Sequence, residues 1–164
     1  MTVTRLENAR WGFESNCFVC EARNARGLRI PFFHDSARAV VTADLDLSGD
    51  YSGAPTYVHG GVTLAVLDEA MAWAAIAVGG KFAVTKEIKT SFDWPVRVGR
   101  RYRVEARLTD QGDERFEAEA VVLDAKDRVC VQGWATLVVL SAARAFDALG
   151  TEATGDDAGY VRPA

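Results

Sequence analysis

From position 61 to 78 the chain runs for eighteen residues in which only Thr63, Asp68 and Glu69 are polar. A helix that is apolar nearly all round must be buried in a large core or in a membrane. The two adjacent carboxylates at its centre are costly to hide there. Pairing, hydrogen bonds, a polar cavity or a chemical use must offset that cost. Just ahead stands His59-Gly60-Gly61, a flexible turn whose free N–H groups point along the helix start. A buried acid and a donor-rich helix N-terminus together make a candidate reaction centre. Gly79-Gly80 then stops the helix.

The 164 residues suit one domain, and 49% apolar residues are ample for one core. A net charge of −4 removes the general electrostatic case for nucleic acid. The first sixteen residues carry charges and no apolar stretch of the secretory kind. The apolar run is long enough to span a membrane, but its central Asp68-Glu69 pair and the strand patterns around it argue against that. The expectation is a cytoplasmic protein without membrane or nucleic-acid partners.

Cys17 and Cys20 form one C-x-x-C, and Cys130 lies in a strand pattern. A zinc site needs about four ligands, and His34 and His59 fall in unrelated patterns. A redox pair would want a strand-to-helix junction, and a strand follows here. The pair therefore reads as reduced, buried or half-buried thiols, with no metal expected.

Period-two alternation marks strands over 28–32 and 37–47 before the helix, and over 82–94, 100–109, 114–123 and 129–140 after it. Gln111-Gly112-Asp113 and 124–127 are turn signals between neighbours. Short connections favour antiparallel pairing. The expected class is α+β: a curved antiparallel sheet wrapped around one long buried helix, in the order β-β-α-β-β-β-β. Residues 1–26 read as an N-terminal extension with a short helix and a loop, 27–140 as the domain, and 141–164 as a tail. That tail has a short helix over 142–149 and a poorly ordered end.

Four segments resemble the hotdog-fold thioesterases, specifically the phenylacetate-pathway type of acyl-CoA thioesterase. They are CFVCEARNARGLRIPF, HGGVTLAVLDEA with its acid nine residues after the His, VTKEIKTSFDWPVRVG and RYRVEARL. The resemblance covers about 16–140. It implies a hotdog fold, a homodimer or a homotetramer built as a dimer of dimers, and a site at the dimer interface. It implies hydrolysis of an acyl-CoA thioester to free acid and CoA, with no cofactor beyond the coenzyme A of the substrate. By motif position Asp68 is the acid, acting as general base on water or as nucleophile through an anhydride. The Gly61 N–H, or that of Gly60, meets the thioester oxygen, and Thr85 reaches the water or substrate from the other subunit.

The residues themselves bear on these roles. Glu69 lies ~100° round the helix from Asp68, so it reads as a structural or interface acid beside the substrate, with Lys86 or Lys89 as partner. His59 is expected to shape the turn and cap the helix close to the substrate. Arg97 and Arg100, with Arg101, suit coenzyme A phosphates, although a solvated loop cluster fits them equally. Trp73, Phe82 and Trp94 are candidates for an acyl pocket, with Met71 in the core or the pocket lining. Many relatives carry an amide side chain six residues before the His, where this chain has Gly53. That departure keeps open a non-catalytic acyl-binding hotdog domain. A hotdog hydratase or dehydratase is a further alternative, although this helix carries no His.

Overall fold

The structure, a computed structural model, describes residues 2–154. The strands are β1 (Val3–Leu6), β2 (Phe32–Asp35), β3 (Val40–Leu45), β4 (Ala83–Phe92), β5 (Tyr102–Gln111), β6 (Arg115–Leu123) and β7 (Val129–Val139). The helices are α1 (Gly60–Ala77) and α2 (Ala142–Leu149), with a 3-10 turn over Asn8–Trp11 and another over Gly49–Tyr51. Among the described residues the strands form one seven-stranded antiparallel sheet in the order β1-β2-β3-β5-β6-β7-β4. This is the hotdog architecture expected from the sequence, with β1 added at its front.

The apolar character of α1 is explained by its position against the sheet. Thr63, Val66, Leu67, Ala70, Met71, Trp73, Ala74 and Ala75 are buried, and α1 packs on every strand from β2 to β7. The helix lies closest where β7 has no side chain. A Cβ built on Gly133 would stand 3.4 Å from Leu67 Cδ1 and 3.7 Å from Met71 Cε. The helix ends at Gly79-Gly80, where Gly80 takes φ +68°. Gly112 closes the β5–β6 hairpin through its N–H to Arg115 O at 2.8 Å.

The N-terminal strands differ from expectation in detail. Leu28 and Ile30 are buried, as their alternation implies, but their N–H groups bond to Phe18 O and Val19 O at 2.7 and 2.9 Å. They are therefore spent on the C-x-x-C loop instead of the sheet. Arg29 takes φ +54°, Pro31 offers no N–H, and the sheet strand starts only at Phe32. The extension over 1–26 holds the expected short helix as a 3-10 turn. It also supplies β1, which pairs with β2 from Val3↔Asp35 to Leu6↔Phe32. Helix α2 matches the expected 142–149, and the poorly ordered end expected beyond it falls largely on 155–164, outside the described residues.

Candidate active site

Asp68 sits half-buried in the middle of α1, and the Thr85 hydroxyl donates to its Oδ1 at 2.5 Å. Thr85 comes from β4, at a point where the strand bulges: Thr85 pairs with Leu137 but Glu87 with Thr136, leaving Lys86 as the extra residue. A bulge re-aims side chains along a strand. The contact lies within one chain. The resemblance implies that Thr85 acts on the site of the other subunit; within one chain its hydroxyl is hydrogen-bonded to Asp68. Asp68 Oδ2 accepts no hydrogen bond from the described residues.

At the helix start His59 is the N-cap, as expected, and does the capping with its ring. Nδ1 accepts the N–H of Gly61 at 2.9 Å, which puts the ring proton on Nε2. The Gly61 N–H, expected as an oxyanion donor, is thus committed to His59. The neighbouring Gly60 N–H has no partner among the described residues. Gly53 lies beneath His59, where a Cβ would approach His59 Cα at 3.3 Å and Cδ2 at 3.4 Å. A side chain at that position would press on the capping ring, so the departure from the amide pattern is coupled to the cap.

A cavity of about 390 Å³ borders the helix start, lined by Tyr57, Gly60, Thr63, Phe92, Trp94 and Val96. It shares Trp94 and Pro95 with a second cavity of about 450 Å³, whose walls carry Arg97, Arg100, Arg101, Lys126 and Arg128. Arg97 covers the Tyr57 ring at 5.1 Å, and Arg128 lies 4.1 Å over Trp94. The expected arginine cluster therefore forms a basic groove leading away from the helix N-terminus. Such a groove fits a phosphate-bearing tail.

The three aromatics named for an acyl pocket do not converge. Trp73 and Phe82 line one cavity beside α1, while Trp94 is exposed on the other two. Met71 is fully buried against Gly133.

Glu69 is not paired with the lysines expected for it. Lys86 and Lys89 are exposed, and among the described residues neither pairs with it. Its Oε1 is instead hydrogen-bonded to Cys17 Sγ at 3.3 Å. Burial first, then the charge on Cys17, pushes the Glu69 carboxyl up to about 8. The Cys17 thiol is held down to about 5, by a hydrogen bond from Cys20 first and then by the Cys20 and Val19 N–H groups; Cys20 is pushed up in turn. The C-x-x-C was visible in the sequence. Its meeting with Glu69 was not, because 52 residues separate the partners.

Comparison with known proteins agrees with this architecture. Residues 56–131 match the model of the Thioesterase superfamily. No curated protein matches the chain at a significant level. A solved thioesterase-superfamily protein is 25% identical with a TM-score of 0.65, over 70% of this chain and 56% of its own. The E. coli PaaI protein from the phenylacetic acid degradation operon is 16% identical with a TM-score of 0.58, over 63% of this chain and 74% of its own. A Streptococcus mutans protein solved bound to acetyl CoA is 16% identical with a TM-score of 0.59, over 62% of this chain and 82% of its own. The sheet wrapped on the buried helix is the hotdog fold, and within it residues 56–131 are similar to the Thioesterase superfamily.

Proposed function

We propose that the chain hydrolyses an acyl-CoA thioester to the free acid and CoA, with Asp68 as general base. The observation that carries this reading is the Asp68–Thr85 pair. One carboxylate oxygen is fixed by a hydroxyl, and the other accepts nothing from the described residues. A fixed carboxylate with a free oxygen is suited to take a proton from water. The hydroxide attacks the thioester carbon, and the oxyanion that forms is met by backbone N–H at the start of α1. The C–S bond then breaks, and the leaving thiolate regains a proton. The basic groove supports CoA as the leaving group, as does the acetyl CoA bound to the Streptococcus mutans protein.

The helix geometry supports a site completed by a second copy of the chain. Gly61 and Asp68 are seven residues apart, about 10 Å along the axis. A reacting carbonyl needs its donor and its attacking water each about 3 Å away. On one helix that span takes donor, carbonyl, water and carboxylate fully in line, whereas two helices facing each other bring the donor of one copy and the carboxylate of the other to one carbonyl without that stretch. The exposed strand β4 ends the sheet and carries exposed Val84 and Phe92, an edge suited to pairing with a second sheet. One observation favours a non-catalytic acyl-binding domain instead: His59 occupies the Gly61 N–H, which leaves Gly60 as the available donor.

Thiol release from short, medium, long and aromatic acyl-CoAs, by wild type and Asp68→Asn, separates the readings. Turnover that Asp68→Asn loses supports the hydrolase. A folded wild type that binds acyl-CoA without releasing thiol overturns it in favour of the binding domain. Release that survives Asp68→Asn removes Asp68 from the chemistry.

A further inference from the structure

We propose that Cys17, Cys20 and Glu69 form a binding site for a thiophilic divalent cation of the zinc class. Two thiols and one carboxylate from distant parts of the chain offer ligand atoms all within 4.8 Å of one another. Around a tetrahedral zinc, with sulfur at ~2.3 Å and oxygen at ~2.0–2.2 Å, such atoms stand ~3.5–3.8 Å apart. Cys17 Sγ and Glu69 Oε1, at 3.3 Å, are already close to that spacing.

The surroundings are those of a ligand set. The N–H groups of Val19 and Cys20 point at Cys17 Sγ from 3.3 and 3.5 Å, and Asn8 Nδ2 points at Cys20 Sγ from 3.7 Å. Donors aimed at sulfur stabilise thiolate, the form that binds metal. The turn that carries them is stiff. The Phe18 and Val19 carbonyls are tied to Leu28 and Ile30, and a Cβ on Gly27 would stand 2.5 Å from Phe18 O. Glu69 is held by α1. Three protein ligands leave a fourth tetrahedral position, and a cavity of about 240 Å³ reaches both Cys17 and Glu69 with room for a water there.

The chemical balance is simple. Whatever protons the two thiols and the carboxyl carry pass to solvent as the cation takes their places, and nothing is oxidised or reduced. Two thiolates and a carboxylate against a divalent ion leave one negative charge, spread over sulfurs that already receive N–H donors. Counting His and Cys in the sequence misses this site, because its third ligand is an acid on the helix. The bound ion would fasten the 17–20 turn to the middle of α1.

The test uses the full chain, reduced, stripped with a chelator and titrated with cobalt(II) and then zinc(II). The expected result is a sulfur-to-cobalt charge-transfer band with tetrahedral ligand-field bands, both removed by zinc. Loss of an outer hydrogen-bond partner typically weakens metal binding ~10–100-fold, so Asn8→Ala should cost about tenfold. Cys17→Ser, Cys20→Ser and Glu69→Gln, which remove ligands, should each cost ~100-fold or more. Cys130→Ser should change nothing. X-ray absorption of the zinc-loaded wild type, which needs no variant to fold, should resolve two sulfur neighbours with oxygen in the remaining positions. A cobalt spectrum without a sulfur band, affinity unaffected by Glu69→Gln, or a zinc shell with a sulfur count other than two overturns the assignment. So does a reduced chain that takes up no metal. None of these readouts depends on thioester hydrolysis.

Discussion

The Thr85 hydroxyl and the Asp68 carboxylate meet at 2.5 Å, joining edge strand β4 to the centre of α1. A hydrogen bond to a charged group is worth about 1.5–3 kcal/mol. Here it also sets which carboxylate oxygen is free. Thr85→Val keeps the shape and removes the donor. The thiol-release assay should show kcat lowered by about 10–100-fold with KM little changed, since ~1.4 kcal/mol is tenfold in rate. Thr85→Ser should recover most of it. Unchanged kcat in Thr85→Val would confine the contact to packing.

His59 caps α1 with Nδ1 on the Gly61 N–H at 2.9 Å. Removing a side-chain cap costs about 0.5–2 kcal/mol. His59→Ala should lower the denaturant midpoint by a corresponding amount with an unchanged m-value, and His59→Asn should restore part of it. The same His59→Ala frees the Gly61 N–H. Activity that rises or holds in the destabilised variant would identify His59 as a competitor for the oxyanion donor. A loss larger than the stability change would place its ring in substrate contact.

Gly79 sits where the end of α1 passes under β6. A Cβ there would run into the Phe116 ring and stand 2.7 Å from Ala75 O. Overpacking of this kind costs about 1–3 kcal/mol. Gly79→Ala should lower thermal stability by that amount, whereas Gly49→Ala, with nothing within 4 Å of its Cβ, should leave it unchanged. Equal melting temperatures for the two variants would contradict the packing.

Asp124 supplies the turn between β6 and β7. Its carboxylate accepts N–H bonds from Arg128 and Lys126 at 3.0 and 2.9 Å, and these, Arg128's first, hold it below the usual carboxylate range. A depressed carboxylate stabilises the fold above its unfolded pKa, near ~3.9, and loses that contribution as pH falls through its folded value. Wild-type stability should therefore drop below about pH 4. Asp124→Asn should be less stable at neutral pH and show a smaller drop in that window. Parallel pH curves for the two proteins would remove Asp124 from the acid response.

The fold was largely legible in the chain because its strongest signals are local. The eighteen-residue apolar run, Gly79-Gly80 after it and Gly112 in the hairpin each act within a few residues of themselves. Period-two alternation located the strands after the helix to within two residues. Leu28 and Ile30 alternate as a strand does and are buried, yet they bond to the C-x-x-C loop and not to the sheet, since a short alternating run does not say which backbone it will bond. β1 was missed because four residues, VTRL, carry too little pattern to stand out from a polar extension.

What the sequence determined by itself was the buried helix, the acid nine residues after His59, and the capping turn before it. Periodicity and spacing suffice for these, because a helix repeats every 3.6 residues whatever packs on it. The tertiary structure alone decided the partners of the two central acids. Asp68 turned to Thr85 on β4 and Glu69 to Cys17 in the N-terminal loop, 17 and 52 residues away. Neighbouring helix positions face directions ~100° apart, so one step along the chain sent two equal carboxylates into different surroundings. Which surroundings those are depends on how distant segments pack over the helix, and no local pattern records that.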